Sequence, residues 1–130
     1  MVHGKVYRAI GLMSGTSLDG VIDVALIETD GRNYVNPLDF FTYTYSPSVC
    51  ETILSCFGKV ERDTQIINAE ALVTDLHIEA VRVSGFEADI IGFHGQTIHH
   101  DPSQGITVQL GDGAKMADAL GMDCVCDFRS

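Results

Sequence analysis

The sequence is poor in positive charge. Eight lysines and arginines stand against eighteen aspartates and glutamates, for a formal net charge of −10. Non-specific binding of DNA or RNA needs a basic footprint, so the balance argues against a nucleic-acid partner. It argues equally against an anionic membrane surface. No apolar run approaches the ~20 residues of a membrane span, and Met1 to Arg8 lacks the apolar core of a signal peptide. Only three prolines occur, and they are scattered. No Pro/Gly/Ser linker, internal repeat or low-complexity tract interrupts the chain. The four cysteines make no CxxC pair, which excludes a zinc ribbon. A disulfide framework is not needed at a length that can build its own core. Cys50, Cys56, Cys124 and Cys126 therefore read as reduced, cytosolic, small buried hydrophobes.

What is present fits a globular chain. At 130 residues and 45% hydrophobic content, it is one domain or part of one. Charge is uneven. Residues 1–65 carry five basic and eight acidic side chains, net −3; residues 66–130 carry three and ten, net −7. An anionic ligand would have to be held by local donors rather than by the overall field.

Hydrophobic periodicity predicts the elements. Val6 to Met13 and the nearly continuous apolar run Val21 to Glu28 read as strands joined by a Gly/Ser/Asp turn. Asp30-Gly31 is a second turn, and Leu38 to Tyr45 a third strand rich in aromatic and β-branched residues. Ser46-Pro47 marks a helix start, with Ser46 as N-cap, and Gly58 its end. A longer helix spans about Thr64 to Val83, with Ile66, Ala69, Val73, Leu76, Ala80 and Val83 as one apolar stripe. His3 and His77 read as solvent-facing. Asp89 to Phe93 returns to strand, His94 to Gly105 reads as a polar loop, and Ile106 to Leu110 is a short strand. Ala114 to Leu120 is a helix and Met122 to Phe128 a last strand. Three antiparallel strands followed by αβ units imply an α/β mixed sheet of ribonuclease-H-like outline, covered by helices on at least one face.

Four segments carry candidate chemistry. Gly11 to Gly20 offers Gly15 and Gly20 for unobstructed backbone N–H groups, and Ser14, Thr16 and Ser17 for hydroxyls. That combination suits a phosphate, and equally a plain surface hairpin. It is neither a Walker A loop nor a GxGxxG turn. Asp19 could hold Mg²⁺ through water. In His94 to Pro102, Gln96 and Thr97 suit sugar hydroxyls or amides. A metal reading is weak there, because adjacent His99 and His100 point apart on an extended chain. Asp112, between Gly111 and Gly113, is either an ordinary N-cap or a helix N-terminus facing an anion. Asp127 and Arg129, at a strand end, form a polar ligand site or a surface salt pair. No GxSxG elbow supports a hydrolytic serine.

Gly11-Leu12-Met13-Ser14-Gly15-Thr16-Ser17-Leu18-Asp19-Gly20, Gly92-Phe93-His94-Gly95-Gln96-Thr97-Ile98-His99-His100, Thr107-Val108-Gln109-Leu110-Gly111-Asp112 and Asp127-Phe128-Arg129 follow one another in order. Together they resemble the anhydro-N-acetylmuramic acid kinases along the whole chain. The resemblance implies an ATP- and Mg²⁺-dependent, cytoplasmic sugar kinase of the actin/hexokinase-like superfamily, working in peptidoglycan recycling. Such enzymes open the 1,6-anhydro ring with water and phosphorylate O6, giving N-acetylmuramic acid 6-phosphate. By matching positions, Gly15, Thr16, Ser17, Leu18, Asp19, Gly20, Val21 and Ile22 would touch the ATP phosphates. His94, Gln96 and Thr97 would lie by the sugar, with Asp127 and Arg129 at the cleft floor.

Two departures from the family's pattern stand out. Gly20-Val21-Ile22-Asp23 is one residue longer than usual, and an insertion flips strand facing unless a bulge absorbs it. The family's chain is also much longer and two-lobed. Residues 1–130 are therefore expected to be the N-terminal part of the first lobe, with the general base and adenine site beyond Ser130 and no turnover alone. The competing reading is a non-catalytic ribonuclease-H-like module binding a sugar or a protein. A half-lobe would leave apolar surface uncovered, which favours self-association, as in a homodimer, or a protein partner. A two-metal nuclease on the same fold would want clustered carboxylates, and the acids here are scattered.

Overall fold

The computed structural model describes residues 5–14 and 20–126. Strands β1 (Tyr7–Ser14) and β2 (Val21–Thr29) pair antiparallel in unbroken register, from Tyr7 opposite Thr29 to Ser14 opposite Ile22. No bulge falls within these pairs, so none of them absorbs the longer Gly20–Asp23 stretch; Ile22, Val24 and Leu26 face the core. β3 (Val35–Thr44) adds antiparallel to β2, with one register shift at Leu26/Ile27. Helices α1 (Pro47–Leu54) and α2 (Thr64–Ser84) follow. β4 (Ile90–Phe93) then enters parallel to β1. β5 (Gln96–Asp101) and β6 (Ile106–Leu110) form a separate two-stranded sheet. α3 (Gly113–Leu120) leads to β7 (Asp123–Val125), parallel to β4. The main sheet runs β3-β2-β1-β4-β7, a mixed α/β arrangement.

Period-two alternation decides the core. Ile10 and Leu12, Ile22, Val24 and Leu26, and Ile91 and Phe93 are buried on one face of the sheet with Ile66, Ala69, Val73 and Ala80 of α2. Fully burying each large side chain contributes about 1.5–3 kcal/mol. The opposite face carries exposed Met13, Phe40 and Val125, and among the described residues no helix covers it. No described helix is long and apolar enough to cross a membrane.

The caps follow the sequence. Asp63 precedes α2 and accepts from the Ile66 N–H at 3.0 Å, and Gly85 closes it in the left-handed region at φ 74°. Ser46 stands at the N-cap of α1, yet its hydroxyl pairs with that of Ser48 instead of capping.

Three expectations are corrected. Residues 94–105 are not a loop: Gln96–Asp101 is a strand whose polar side chains mask the alternation, paired to β6 through a turn closed at Gly105. The apolar face of α2 is rotated from the predicted stripe, so that Val83 is 52% exposed while His77 is 2% exposed. Of the four free cysteines only Cys56 is buried: Cys50 of α1 and Cys124 of the short edge strand β7 are half-buried, and Cys126 after it is exposed.

Candidate functional site

Parallel pairing brings the carboxyl ends of β1, β4 and β7 to one edge of the sheet. Ligands of open α/β sheets sit just beyond such ends. Ser14 ends β1, His94 follows β4, and Cys126 follows β7. A small cleft opens there, lined by Phe93, His94, Gly95, Gln109, Gly111 and Cys126 among others.

Glycine shapes this cleft. Gly95 has φ +79°, and a Cβ on it would collide with the Leu110 carbonyl oxygen. A Cβ on Gly111 would press the Phe93 ring at 3.0 Å. The two turns that rim the cleft thus touch backbone to backbone, as a side chain would not allow. The Gln109 side-chain amide spans the same gap, donating to the His94 carbonyl oxygen at 2.8 Å.

Gln96 lies deeper than a loop residue would. It is 1% exposed, its Oε1 accepts from the Ser14 hydroxyl at 3.0 Å, and its Nε2 donates to the Thr97 carbonyl at 3.2 Å. Thr97 is also buried, and His94 is half-buried at the cleft. The structure therefore brings His94, Gln96 and Ser14 to one corner, and of His94, Gln96 and Thr97 it is His94 that lines the open cleft.

Of the predicted phosphate segment, Gly15, Thr16, Ser17, Leu18 and Asp19 lie outside the described residues, as do Asp127 and Arg129. Gly20 has φ 86° and its carbonyl accepts from the Tyr45 N–H at 2.8 Å. Ile22 is 1% exposed and faces the core, so only its backbone could meet a ligand.

The Asp112 alternatives resolve locally. Its carboxylate caps α3, accepting from the Lys115 N–H at 3.1 Å. Its own N–H donates to Thr74 Oγ1 at 2.9 Å, and the Gly111 N–H donates to Glu70 Oε2 at 3.2 Å. These N–H groups are spent inside the chain, which favours the N-cap reading over an anion site. His99 and His100 diverge as an extended chain requires, with His100 Nδ1 2.8 Å from Thr107 Oγ1. Among the described residues no three His, Cys, Asp or Glu side chains gather as a metal site.

Sequence reasoning missed His77. Its Nδ1 lies 2.7 Å from the Val73 carbonyl, its ring lies 4.9 Å from that of Phe93, and burial pulls its pKa down to about 4. The spacing held the clue: His77 is four residues from both Val73 and Val81, one helical turn each way. It missed Thr74 as well, whose hydroxyl donates to the Glu70 carbonyl at 2.8 Å while receiving the Asp112 N–H.

Comparison with known proteins gives the chain its relatives. Residues 7–130 match the family profile described as Anhydro-N-acetylmuramic acid kinase. Proteins of that name from Rhizorhabdus wittichii and Zymomonas mobilis are 47% and 49% identical over 135 and 140 residues, each match covering 94% of this chain. One from Rhodopseudomonas palustris is 43% identical over 136 residues. The chain spans 37%, 38% and 37% of the length of these three curated relatives.

Proposed function

This chain belongs to the anhydro-N-acetylmuramic acid kinase family, and from that premise we propose that it forms the N-terminal part of the first lobe of a cytoplasmic, ATP-dependent sugar kinase. The lobe is of ribonuclease-H-like, actin/hexokinase-like type. The reaction takes 1,6-anhydro-N-acetylmuramic acid, water and ATP to N-acetylmuramic acid 6-phosphate and ADP, in peptidoglycan recycling. Water adds to C1, the bond from C1 to O6 breaks, and O6 takes the γ-phosphoryl group.

The observation that carries this reading is the convergence of β1, β4 and β7 on the cleft edge, since three of the four motif segments run on from those strands. Gly15 to Ile22 then holds the ATP phosphates, with backbone N–H groups and hydroxyls replacing the lysine that the segment lacks. His94, Gln96 and Thr97 serve the sugar. Asp127 and Arg129, next along the chain from β7 and Cys126, serve the cleft floor.

Mg²⁺ takes oxygen ligands and keeps several waters. At this edge the Asp112 carboxylate is occupied by its cap, so Asp19 is the carboxylate the motif offers, through water. The ion, when bound, supplies positive charge to the phosphates. In this reading the general base and adenosine site are supplied from outside residues 1–130. The uncovered sheet face with Met13, Phe40 and Val125 supports a part-lobe that further chain covers.

The test is a chimaera in which this chain replaces the matching segment of a full-length relative, assayed for ADP release with 1,6-anhydro-N-acetylmuramic acid. The chimaera should turn over and the 130-residue chain alone should not. A folded but silent chimaera would sink the kinase reading, and turnover by the short chain would sink the part-lobe reading.

A further inference from the structure

The Nε2 of His77 is buried and has no hydrogen-bond partner among the described residues. A carbonyl can only accept, so the bond to Val73 fixes the Nδ1–H tautomer and leaves Nε2 a bare acceptor. Buried acceptors are seldom left unmade, and such exceptions mark sites where something else uses the group. Nε2 belongs to a ring that lines a tight pocket, with no room for a water, together with Ser14, Gln96, Tyr45 and Ile22. Above it the Ser14 hydroxyl is engaged by Gln96 Oε1.

Each end of the Gln96 carboxamide already has a partner inside the chain. If Gln96 turned to a ligand, the buried Ser14 hydroxyl would lose its acceptor, unless a second acceptor stood nearby. His77 Nε2 is a buried acceptor on the lining that Ser14 and Gln96 share.

We propose that the Ser14 hydroxyl is a two-position donor: it holds Gln96 Oε1 without ligand and turns to His77 Nε2 when Gln96 engages the sugar. The proton stays on Ser14 throughout; only a side-chain rotation separates the two states. Gln96 Oε1 is thereby released to accept from a sugar hydroxyl or amide N–H. His77 is a positioning residue in this scheme, acting on the sugar site through Ser14. The inference rests on the reading above that Gln96 serves the sugar.

The two singles and the double variant separate this from a structural role. Affinity of the 130-residue chain for 1,6-anhydro-N-acetylmuramic acid is measured by calorimetry, and binding is located by the backbone amide shifts of Gly95 to Thr97. His77→Phe removes the second acceptor and should weaken binding about fivefold, one hydrogen bond's worth. Ser14→Ala removes the competitor for Oε1 and should tighten it about fivefold. The double variant should follow Ser14→Ala, since without the hydroxyl the histidine has nothing to receive. In the wild type the ¹⁵N resonance of His77 Nε2 should move upfield on sugar addition, and in Ser14→Ala it should not. That spectrum decides the matter if His77→Phe does not fold. Two single variants that both weaken binding, and add in the double, would overturn the two-position hydroxyl while leaving the sugar reading intact. No amide shift in the wild type under saturating sugar would overturn both.

Discussion

The Ser14 hydroxyl donates to Gln96 Oε1 at 3.0 Å, tying the last residue of β1 to the first of β5 across 82 positions of sequence. The bond is buried, so water does not compete for either partner. It joins the strand that leads into the Gly/Ser/Asp segment to the segment assigned to the sugar.

Gly95 is the position where substitution should cost most. Any side chain there must adopt φ +79° and displace the Leu110 carbonyl. Gly95→Ala should lose about 2 kcal/mol or more of stability. Gly105→Ala shares a left-handed φ of 66° but meets open space, and should lose about 1 kcal/mol. Urea unfolding of the two variants checks the order. Equal losses would mean that the carbonyl contact does not constrain the turn.

His77 should make the fold acid-sensitive. Burial lowers its pKa from 6.5 to about 4, so the folded state disfavours the proton that the unfolded chain accepts. Stability is therefore full above about pH 6.5, falls as the pH drops, and levels near pH 4; the loss is on the order of 3 kcal/mol. Asp30, Asp63 and Asp101, whose pKa values are lowered by hydrogen bonding, lose their contributions only below that window. Urea midpoints at pH 7 and pH 4.5 should differ in the wild type and converge in His77→Phe. An unchanged pH dependence in that variant would show that another group carries the effect.

Thr74 ties α2 to the start of α3. It is fully buried, donates to the Glu70 carbonyl and accepts the Asp112 N–H. Thr74→Val keeps the shape and strands that N–H, which should cost about 1–3 kcal/mol. Thr74→Ser keeps the hydroxyl and should lose less. Thermal unfolding of both would test it, and a harmless Thr74→Val would show that the Asp112 N–H finds another partner.

Most of the architecture was legible because one signal dominates it. The β-rich stretch Val6–Met13, the nearly continuous apolar run Val21–Glu28 and the helical spacing from Ile66 to Ala80 mark segments that a core must bury. The predicted starts at Val21, Pro47, Thr64 and Ile106 coincide with those observed. What failed was polarity used as a guide to exposure. Gln96, Thr97 and His77 are polar by type and buried in place, because each finds a partner: Ser14 and the β6 ladder, which only the tertiary fold supplies, and the Val73 carbonyl one turn back in α2. The site was legible as segments but not as a geometry, since parallel pairing of β1, β4 and β7 links residues about 80 and 30 positions apart.

The cysteines should separate by reactivity. Cys126 is exposed at the cleft, while Cys56 is buried. The Cys124 thiol is pushed up to about 11 by burial and by the neighbouring Cys126. At pH 8 Cys124 should thus stay a thiol, and the thiolate is the nucleophile. Iodoacetamide followed by peptide mass spectrometry should find Cys126 labelled first and Cys56 and Cys124 spared in the folded chain. Early labelling of Cys124 would mean that the edge strand β7 opens readily.

The phosphate role of Gly15 to Ile22 is best tested where catalysis can be read, in the chimaera with a full-length relative. Thr16 is proposed to donate its hydroxyl to a phosphate oxygen and Asp19 to reach Mg²⁺ through water. Removing one such group from a transferring phosphoryl costs about 100-fold in rate. Thr16→Ala and Asp19→Ala should each lower kcat/KM for ATP by about that factor. Because Ser14 lies beside this segment and holds Gln96, the KM for the sugar should change less than that for ATP. The Asp19→Ala defect should also ease as Mg²⁺ is raised, and the Thr16→Ala defect should not. Normal ATP kinetics in both variants would remove the segment from the nucleotide site.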